Sequence, residues 1–448
     1  WHNADLLEEI NYLVEYPTPL YGRIDDEFLK LPVPAVVTPM RDHQRYYPVR
    51  NEDGSLMPYF LTVRNGGTKA LENVQHGNEK VLRARLDDAK FFFENDRKKT
   101  LEGHRDDLTR INYQEGMGDM RDKADRLQKL TEAIGKDWGF TAEEAADADR
   151  AAFLSKSDLA TGMVTEFTEL QGEMGKEYAL LDGEKPEVAK AIFEQYMPRF
   201  AGDILPQQEI GRALSLADKL DNLAATFLRG LIPTGSQDPF ALRRQTIGAV
   251  NILTDGKIHW DIRRGIEAAL ALLPGDKETK KTVLSQIEDF FRQRIKAIML
   301  DEGIAYDIID AVLAGPVEDI YALFLKARSM AESQLKDEAE LRQAVTRLAN
   351  ITKGKTGGKV DPSLFTEDVE KKLQDAFEAV SAKALPLFAS YEYGKALPAL
   401  KELTAPINDY LDNVMVMVDD EAVKNNRISQ LLATLALFNT WGDFSKLV

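Results

Sequence analysis

Apolar residues recur at helical spacing over most of this chain. Leu159, Met163, Phe167, Leu170 and Met174 follow one another at steps of four, four, three and four, and Leu216, Leu220, Leu223, Phe227 and Leu231 do the same. Such steps place side chains on one face of a helix, so both stripes predict amphipathic helices. The helical pattern runs from about residue 104 to 350 and again from Thr366 to the end, where Pro386, Pro398 and Pro406 predict interruptions. "ALLPGDKETKK" (271–281) predicts a polar break between helices, and "ITKGKTGGKVDP" (351–362) a mobile Gly/Lys-rich loop. The first hundred residues differ. "VPAVVTP" (33–39) reads as β-rich between prolines, and "QRYYPVRNEDGSLMPYFLTVRN" (44–65) as two strands about Asp53-Gly54, a hairpin-favouring pair. A helix should follow over 76–97. The pattern predicts a mainly α, multi-domain protein with an N-terminal α+β portion.

Composition narrows what such a protein does. With 44% hydrophobic and 29% charged residues, the balance is that of an ordinary soluble globular chain. No apolar run reaches the ~20 residues a membrane-spanning helix needs, and no secretory signal opens the chain, which fits a cytoplasmic protein with no membrane partner. The first residue is Trp1, already inside a helical pattern, as expected of a fragment lacking a natural N-terminal part. Cysteine is absent, which excludes disulfides, thiolate zinc sites and cysteine nucleophiles. A net charge of −17 disfavours a general attraction to DNA, RNA or anionic membrane, so any RNA contact must be local.

Candidate chemistry is sparse. His2, His43, His76, His104 and His259 are scattered, without a second histidine at metal-ligand spacing, and no metal site is expected. "KGKTGGK" (353–359) fails as a phosphate loop, because Ala349 stands where the first glycine is required. Asp218 and Asp221 share a helical face, as metal-holding or acid/base carboxylates would, but a solvated face beside Lys219 explains them as simply. In "LIPTGSQDPFALRR" (231–244), Asp238 is a fitting N-cap and Pro239 a fitting first helical residue, with Phe240, Ile247 and Val250 predicted to be buried. Arg243 and Arg244 lie near the positive end of that helix and call for an acidic partner, either an internal carboxylate or RNA phosphate. In "DEAVKNNRISQLLATLALF" (420–438), an acidic first turn precedes Lys424, Asn425, Asn426 and Arg427, then a stripe of Leu431, Leu435 and Phe438. The polar cluster is either an RNA-reading surface or a solvated face.

Eight ordered stretches carry a resemblance: "NYLVEYPTPLYGRIDDEFLKLP" (11–32), "MRDHQRYYPV" (40–49), "GNEKVLRARLDDAKFFFENDR" (77–97), "FTELQGEMGKEYALLDGE" (167–184), "YMPRFAGDILP" (196–206), "ALSLADKLDNL" (213–223), "LIPTGSQDPFALRR" (231–244) and "DNVMVMVDDEAVKNNRISQLL" (412–432). The chain closely resembles, over essentially its whole length, the β subunits of bacterial two-subunit glycyl-tRNA synthetases. The resemblance implies a mixed α+β region over 1–103, related to the β chain of phenylalanyl-tRNA synthetase. It implies an HD-like helical domain over 104–255, a helical linker over 256–317 and a helical anticodon-binding domain over 318–448, similar to that of arginyl-tRNA synthetase. The metal-binding His-Asp doublet of HD hydrolases is replaced in "FLSKSDLATGMV" (153–164), which leaves Asp158 and Asp218 as vestigial positions.

The resemblance also implies a division of labour. Glycine activation, with its ATP and magnesium, belongs to a separate α subunit. This chain needs no cofactor, carries no aminoacylation site, and holds tRNA(Gly) for transfer. In agreement, "HIGH" and "KMSKS" signatures and a class II arginine motif are absent from the sequence. On this reading Lys424, Asn425, Asn426 and Arg427 face RNA, while Arg243, Arg244 and the loop Thr234 to Ser236 touch the tRNA backbone or a neighbouring domain. The alternative is a catalytically dead HD-type scaffold that acts only in assembly.

Overall fold

The hairpin about Asp53-Gly54 forms as its residues dictate. In the computed structural model, which describes residues 4–448, strands β1 (Pro17–Arg23), β2 (Tyr47–Arg50) and β3 (Leu56–Asn65) make an antiparallel sheet in the order β1-β3-β2. Trp1 and His2 lie outside the described residues. Asp53 accepts hydrogen bonds from the Ser55 amide (2.9 Å) and hydroxyl (2.6 Å), and Gly54 supplies the positive φ that the turn requires. Gly22 pairs with Phe60, whose fully buried ring would lie 2.2 Å from any Cβ at position 22. Only glycine lets the ring cross β1 there.

"VPAVVTP" is a helix, not a β segment: Val33–Thr38 are α-helical and Pro39–His43 continue as a wider turn. Pro34 sits in the first helical turn, where a missing N–H leaves no bond unmade. Ala35, Val36, Val37 and Thr38 are all buried, so enclosure by neighbouring elements overrides β-propensity.

The helix expected over 76–97 spans Leu71–Asp96 and buries Leu82, Leu86 and Ala89. Its last residue does more than end it. The Asp96 carboxylate accepts from the Gly162 (2.7 Å) and Met163 (2.9 Å) amides and from the Tyr178 hydroxyl (2.7 Å). The stripe Leu159–Met174 does not form one helix. It divides into Ser157–Ala160, Gly162–Glu166, Thr168–Leu170 and the start of Glu173–Leu181. Thr161 caps a new turn, and Gly172, at φ +83, reverses the chain before the last helix. Met163, Phe167, Leu170 and Met174 are nonetheless buried.

The second stripe holds. Sixteen residues of the helix Glu209–Leu228 are buried, including Leu216, Leu220, Leu223 and Phe227, and Leu231 lies beyond its end. The capped helices Met120–Trp138 and Ala142–Leu154 and the helix Pro186–Glu194 pack around it. Each of the first two begins with a reciprocal capping box, Asp119 with Asp122 and Thr141 with Glu144.

The chain divides into two units, residues up to Ile232 with 268–276, and 233–267 with 277–448. These limits do not coincide with boundaries at 103, 255 or 317. The first unit holds the sheet and the helices above. In the second, Ala339–Thr352, Asp368–Ala389, Thr404–Asn413 and Glu421–Asn439 pack on one another, with Leu348, Leu373, Tyr410 and Leu431 among the residues buried there. The polar break falls at 272–276, between Ile262–Ala271 and Lys277–Asp301. Pro398 and Pro406 fall in first turns, but Pro386 does not interrupt its helix, which ends three residues later at Ala389. No helix among the described residues is long and apolar enough to cross a membrane.

Candidate nucleic-acid interface and the buried charge cluster

Asp420 caps the helix Glu421–Asn439 by accepting from the Ala422 (2.9 Å) and Val423 (3.1 Å) amides. The four polar residues that follow do not share a face. Lys424 is half-buried and pairs with Glu421, and Asn425 is exposed. Asn426 is only 4% exposed. Its Oδ1 accepts from the Asp361 amide (2.7 Å) and its Nδ2 donates to the Asp361 carbonyl (3.0 Å), which pins the end of the 353–361 loop. Arg427, also 4% exposed, donates twice to Glu370 (2.9 and 3.2 Å), to Thr366 Oγ1 (2.7 Å) and to the Met415 carbonyl (2.8 Å). Asn426 and Arg427 therefore face the interior, not RNA. Helical residues advance ~100° each, so four in a row cannot all point outward. Extending the stripe Phe438, Leu435, Leu431 back by four reaches Arg427.

Glu370 is 0% exposed and also accepts from the Thr366 (2.8 Å) and Glu367 (2.8 Å) amides at the start of Asp368–Ala389. Burial opposes its charge, but Arg427 and the two amides outweigh it and hold the carboxyl below the usual range. One ion pair thus ties the C-terminal helix to the N-terminus of its neighbour.

The 231–244 loop is also built internally. Asp238 accepts from the Leu242 (2.8 Å) and Arg243 (2.9 Å) amides, although Ala241, not Asp238, is the N-cap residue. The helix starts only at Leu242, however, after Ala241 in the left-handed region, and Pro239 and Phe240 precede it. Phe240 is 37% exposed rather than buried and Ile247 half-buried, while Val250 is buried. Arg243 donates to the Gly235 carbonyl (2.6 Å), a loop oxygen, and Arg244 is exposed. The 424–427 and 243–244 groups stand on separate helices of the second unit.

In the first unit, Asp218 and Asp221 are buried, not on a solvated face. Lys123 Nζ reaches Asp218 Oδ1 (2.9 Å), Asp221 Oδ2 (2.9 Å) and Asn222 Oδ1 (2.8 Å). Arg126 grips Asp221 with two bonds (2.6 and 3.1 Å), and Lys156 donates to Asp218 Oδ2 (2.9 Å). Burial works against both aspartates, and the cations facing them outweigh it, so both carboxyls lie below the ordinary range. Asp158 joins the cluster. It accepts from the Gly172 amide (2.7 Å) and Tyr196 hydroxyl (2.9 Å), and burial raises its carboxyl despite nearby Lys156. Lys219 donates to the Met197 carbonyl (2.7 Å) and Ser215 Oγ (2.8 Å), and burial brings its ammonium down to about 7. Lysine and arginine heads thus occupy the oxygens a divalent ion would need. No group of three or more His, Asp or Glu side chains able to hold a metal occurs among the described residues. Sequence reasoning passed over Lys123, Arg126 and Lys156. The signal was the i,i+3 pair Lys123/Arg126, spaced like Asp218/Asp221.

Comparison with known proteins agrees with this architecture. A family model for an aminoacyl-tRNA synthetase subunit, the glycyl-tRNA synthetase beta subunit, matches residues 2–314, and a DALR anticodon binding domain model matches 341–442. The chain is 46% identical over 447 residues to the glycine--tRNA ligase beta subunit of Clostridioides difficile (strain 630), covering 100% of this chain and 65% of that protein. It is 43% identical over 450 residues to the counterpart of Desulforamulus reducens (100% and 65%) and 40% identical over 450 residues to that of Bacillus subtilis (strain 168; 100% and 64%). The chain belongs to the glycyl-tRNA synthetase beta subunit family. It spans about 65% of the length of these relatives.

Proposed function

We propose that this chain is the RNA-holding portion of a two-subunit glycine–tRNA ligase. It binds tRNA(Gly) and presents it to a separate α subunit, where glycine reacts with ATP and magnesium. The observation that carries the reading is the anticodon-binding match over 341–442, which falls on the packed helices Ala339–Thr352 to Glu421–Asn439. Further support comes from the first unit, where the buried carboxylates are neutralised internally rather than presented to a substrate. The contribution to catalysis is orientation: a tRNA held at its body and anticodon brings its 3′ end to the activated glycine without a second diffusional search. Because the chain carries a net charge of −17, the grip rests on local groups such as Lys424, Asn425, Arg243 and Arg244.

An assembly-only scaffold is favoured by one observation, the inward orientation of Asn426 and Arg427. Glycine-dependent ATP–pyrophosphate exchange and tRNA(Gly) binding across a salt series, measured on the full-length chain with and without the α subunit, separate the readings. The proposal expects no exchange by this chain alone and tRNA affinity that falls with salt. Exchange without the α subunit, or no tRNA affinity at low salt, overturns it.

A further inference from the structure

The helix Asp368–Ala389 ends in a way its sequence does not favour. Ser390 is the C-cap, the Tyr391 amide donates to the Phe388 carbonyl (3.0 Å), and the Glu392 amide donates to the Leu387 carbonyl (2.8 Å). These two bonds form a Schellman motif, whose left-handed position is usually glycine. Here it is Tyr391, at φ +60. A non-glycine residue in that region costs backbone energy that glycine would not.

The ring has company. His259 stacks on Tyr391 with centroids 3.5 Å apart and planes 11° from parallel, and Tyr321 lies 4.9 Å from His259. Asp319 accepts from His259 Nδ1 (2.7 Å) and fixes its plane, while the Ile262 amide donates to the Glu318 carbonyl (3.0 Å) and holds that segment in place. The stack is not sealed: Tyr391 is 36% exposed, and His259 is exposed as well. Asp319 also lines an adjoining cavity of about 420 Å³, with Lys326 and Asn439 on its wall. Lys326 lies 5.4 Å from the Tyr393 ring centre; burial lowers its ammonium against the pull of Asp319 and Glu318, which line the same cavity with Asp443. Trp441 fixes that wall by donating to the Lys326 carbonyl and Ser329 Oγ, both at 3.1 Å.

We propose that the Tyr391–His259 stack and the cavity beside it form a binding site for an unstacked nucleobase of RNA. The base continues the aromatic stack, Asn439 reads its edge, and Lys326 meets the adjoining phosphate. Each part matches how single-stranded RNA is held: an aromatic plane, an amide and a cation. The inference rests on the tRNA-binding reading above.

Tyr391→Gly is the decisive variant because it relieves the backbone while removing the ring. In the full-length chain with its α subunit, the melting temperature should hold or rise. tRNA(Gly) affinity should fall roughly 5- to 160-fold, the range expected for loss of one base stack, and Tyr391→Phe should restore it. If the parent binds tRNA and Tyr391→Gly binds it equally well, the base site is wrong while the tRNA-binding reading stands. If the parent itself does not bind, that reading fails first. A lowered melting temperature would make the ring a structural clasp. Weakened association with the α subunit at unchanged tRNA affinity would make it a protein-docking surface. Either result overturns the base site.

Discussion

Replacing Arg427 with alanine tests whether this arginine supports the fold or touches RNA. The variant leaves the Glu370 carboxylate at 0% exposure with the Thr366 and Glu367 amides and a long contact from the Thr366 hydroxyl (3.4 Å) as its remaining partners. Stranding one member of a buried pair costs ~3–5 kcal/mol. For a unit of this size 1 kcal/mol moves the melting temperature by ~2–4 °C, so the second unit should melt roughly 6–20 °C lower. Calorimetry of the parent and variant measures this directly. Because the pair is buried, high salt should leave the gap in place. Acid should not. The Glu370 carboxyl is depressed in the folded protein, so its contribution is complete above the ordinary value of 4.5 and is lost as pH falls through the folded value. The gap between parent and variant should therefore narrow below about pH 4.5. A double replacement, Arg427→Leu with Glu370→Leu, should cost less than the two single changes together, because it strands no charge. An Arg427→Ala variant that melts within ~2 °C of the parent yet loses tRNA affinity would refute the internal role.

Other changes probe the first unit. Asp221→Asn leaves Lys123 and Arg126 short of a buried carboxylate and should destabilise that unit by ~3–5 kcal/mol in urea titration. Lys219 titrates at about 7 in the fold against an ordinary 10.5, so the unfolded chain binds the extra proton between those values. Stability should rise with pH across that window and decline as pH falls through 7, and Lys219→Met should flatten the slope measured by denaturation at pH 7 to 10. Gly22→Ala brings a Cβ to 2.2 Å from Phe60 and should cost ~1–3 kcal/mol, seen as a lower urea midpoint.

Periodicity revealed the elements that bury one continuous face. Leu216 to Phe227 were legible because sixteen residues of that helix are enclosed and the spacing is strict. The hairpin was legible because Asp53-Gly54 encodes its own turn. Where long-range partners decide, local pattern misled. "VPAVVTP" carries β-formers, but enclosure of Ala35 to Thr38 makes it a helix. Met163 to Met174 keep helical spacing although the chain reverses at Gly172, since burial alone does not require a continuous helix. The candidate interface was read from residue type, and type does not give direction. Arg427 resembles a phosphate ligand until Glu370, fifty-seven positions away, is found beneath it. The Tyr391–His259 stack joins residues more than a hundred positions apart and leaves no local trace.

The three bonds that converge on Asp96 bear on how this molecule can be taken apart. A boundary cut at 103/104, natural as the change of pattern makes it, would leave the long helix with a bare terminal carboxylate. It would also leave Gly162, Met163 and Tyr178 with donors facing nothing. The sheet region and the helices after it are for that reason tied together through Asp96. A recombinant dissection that respects the molecule keeps them on one polypeptide.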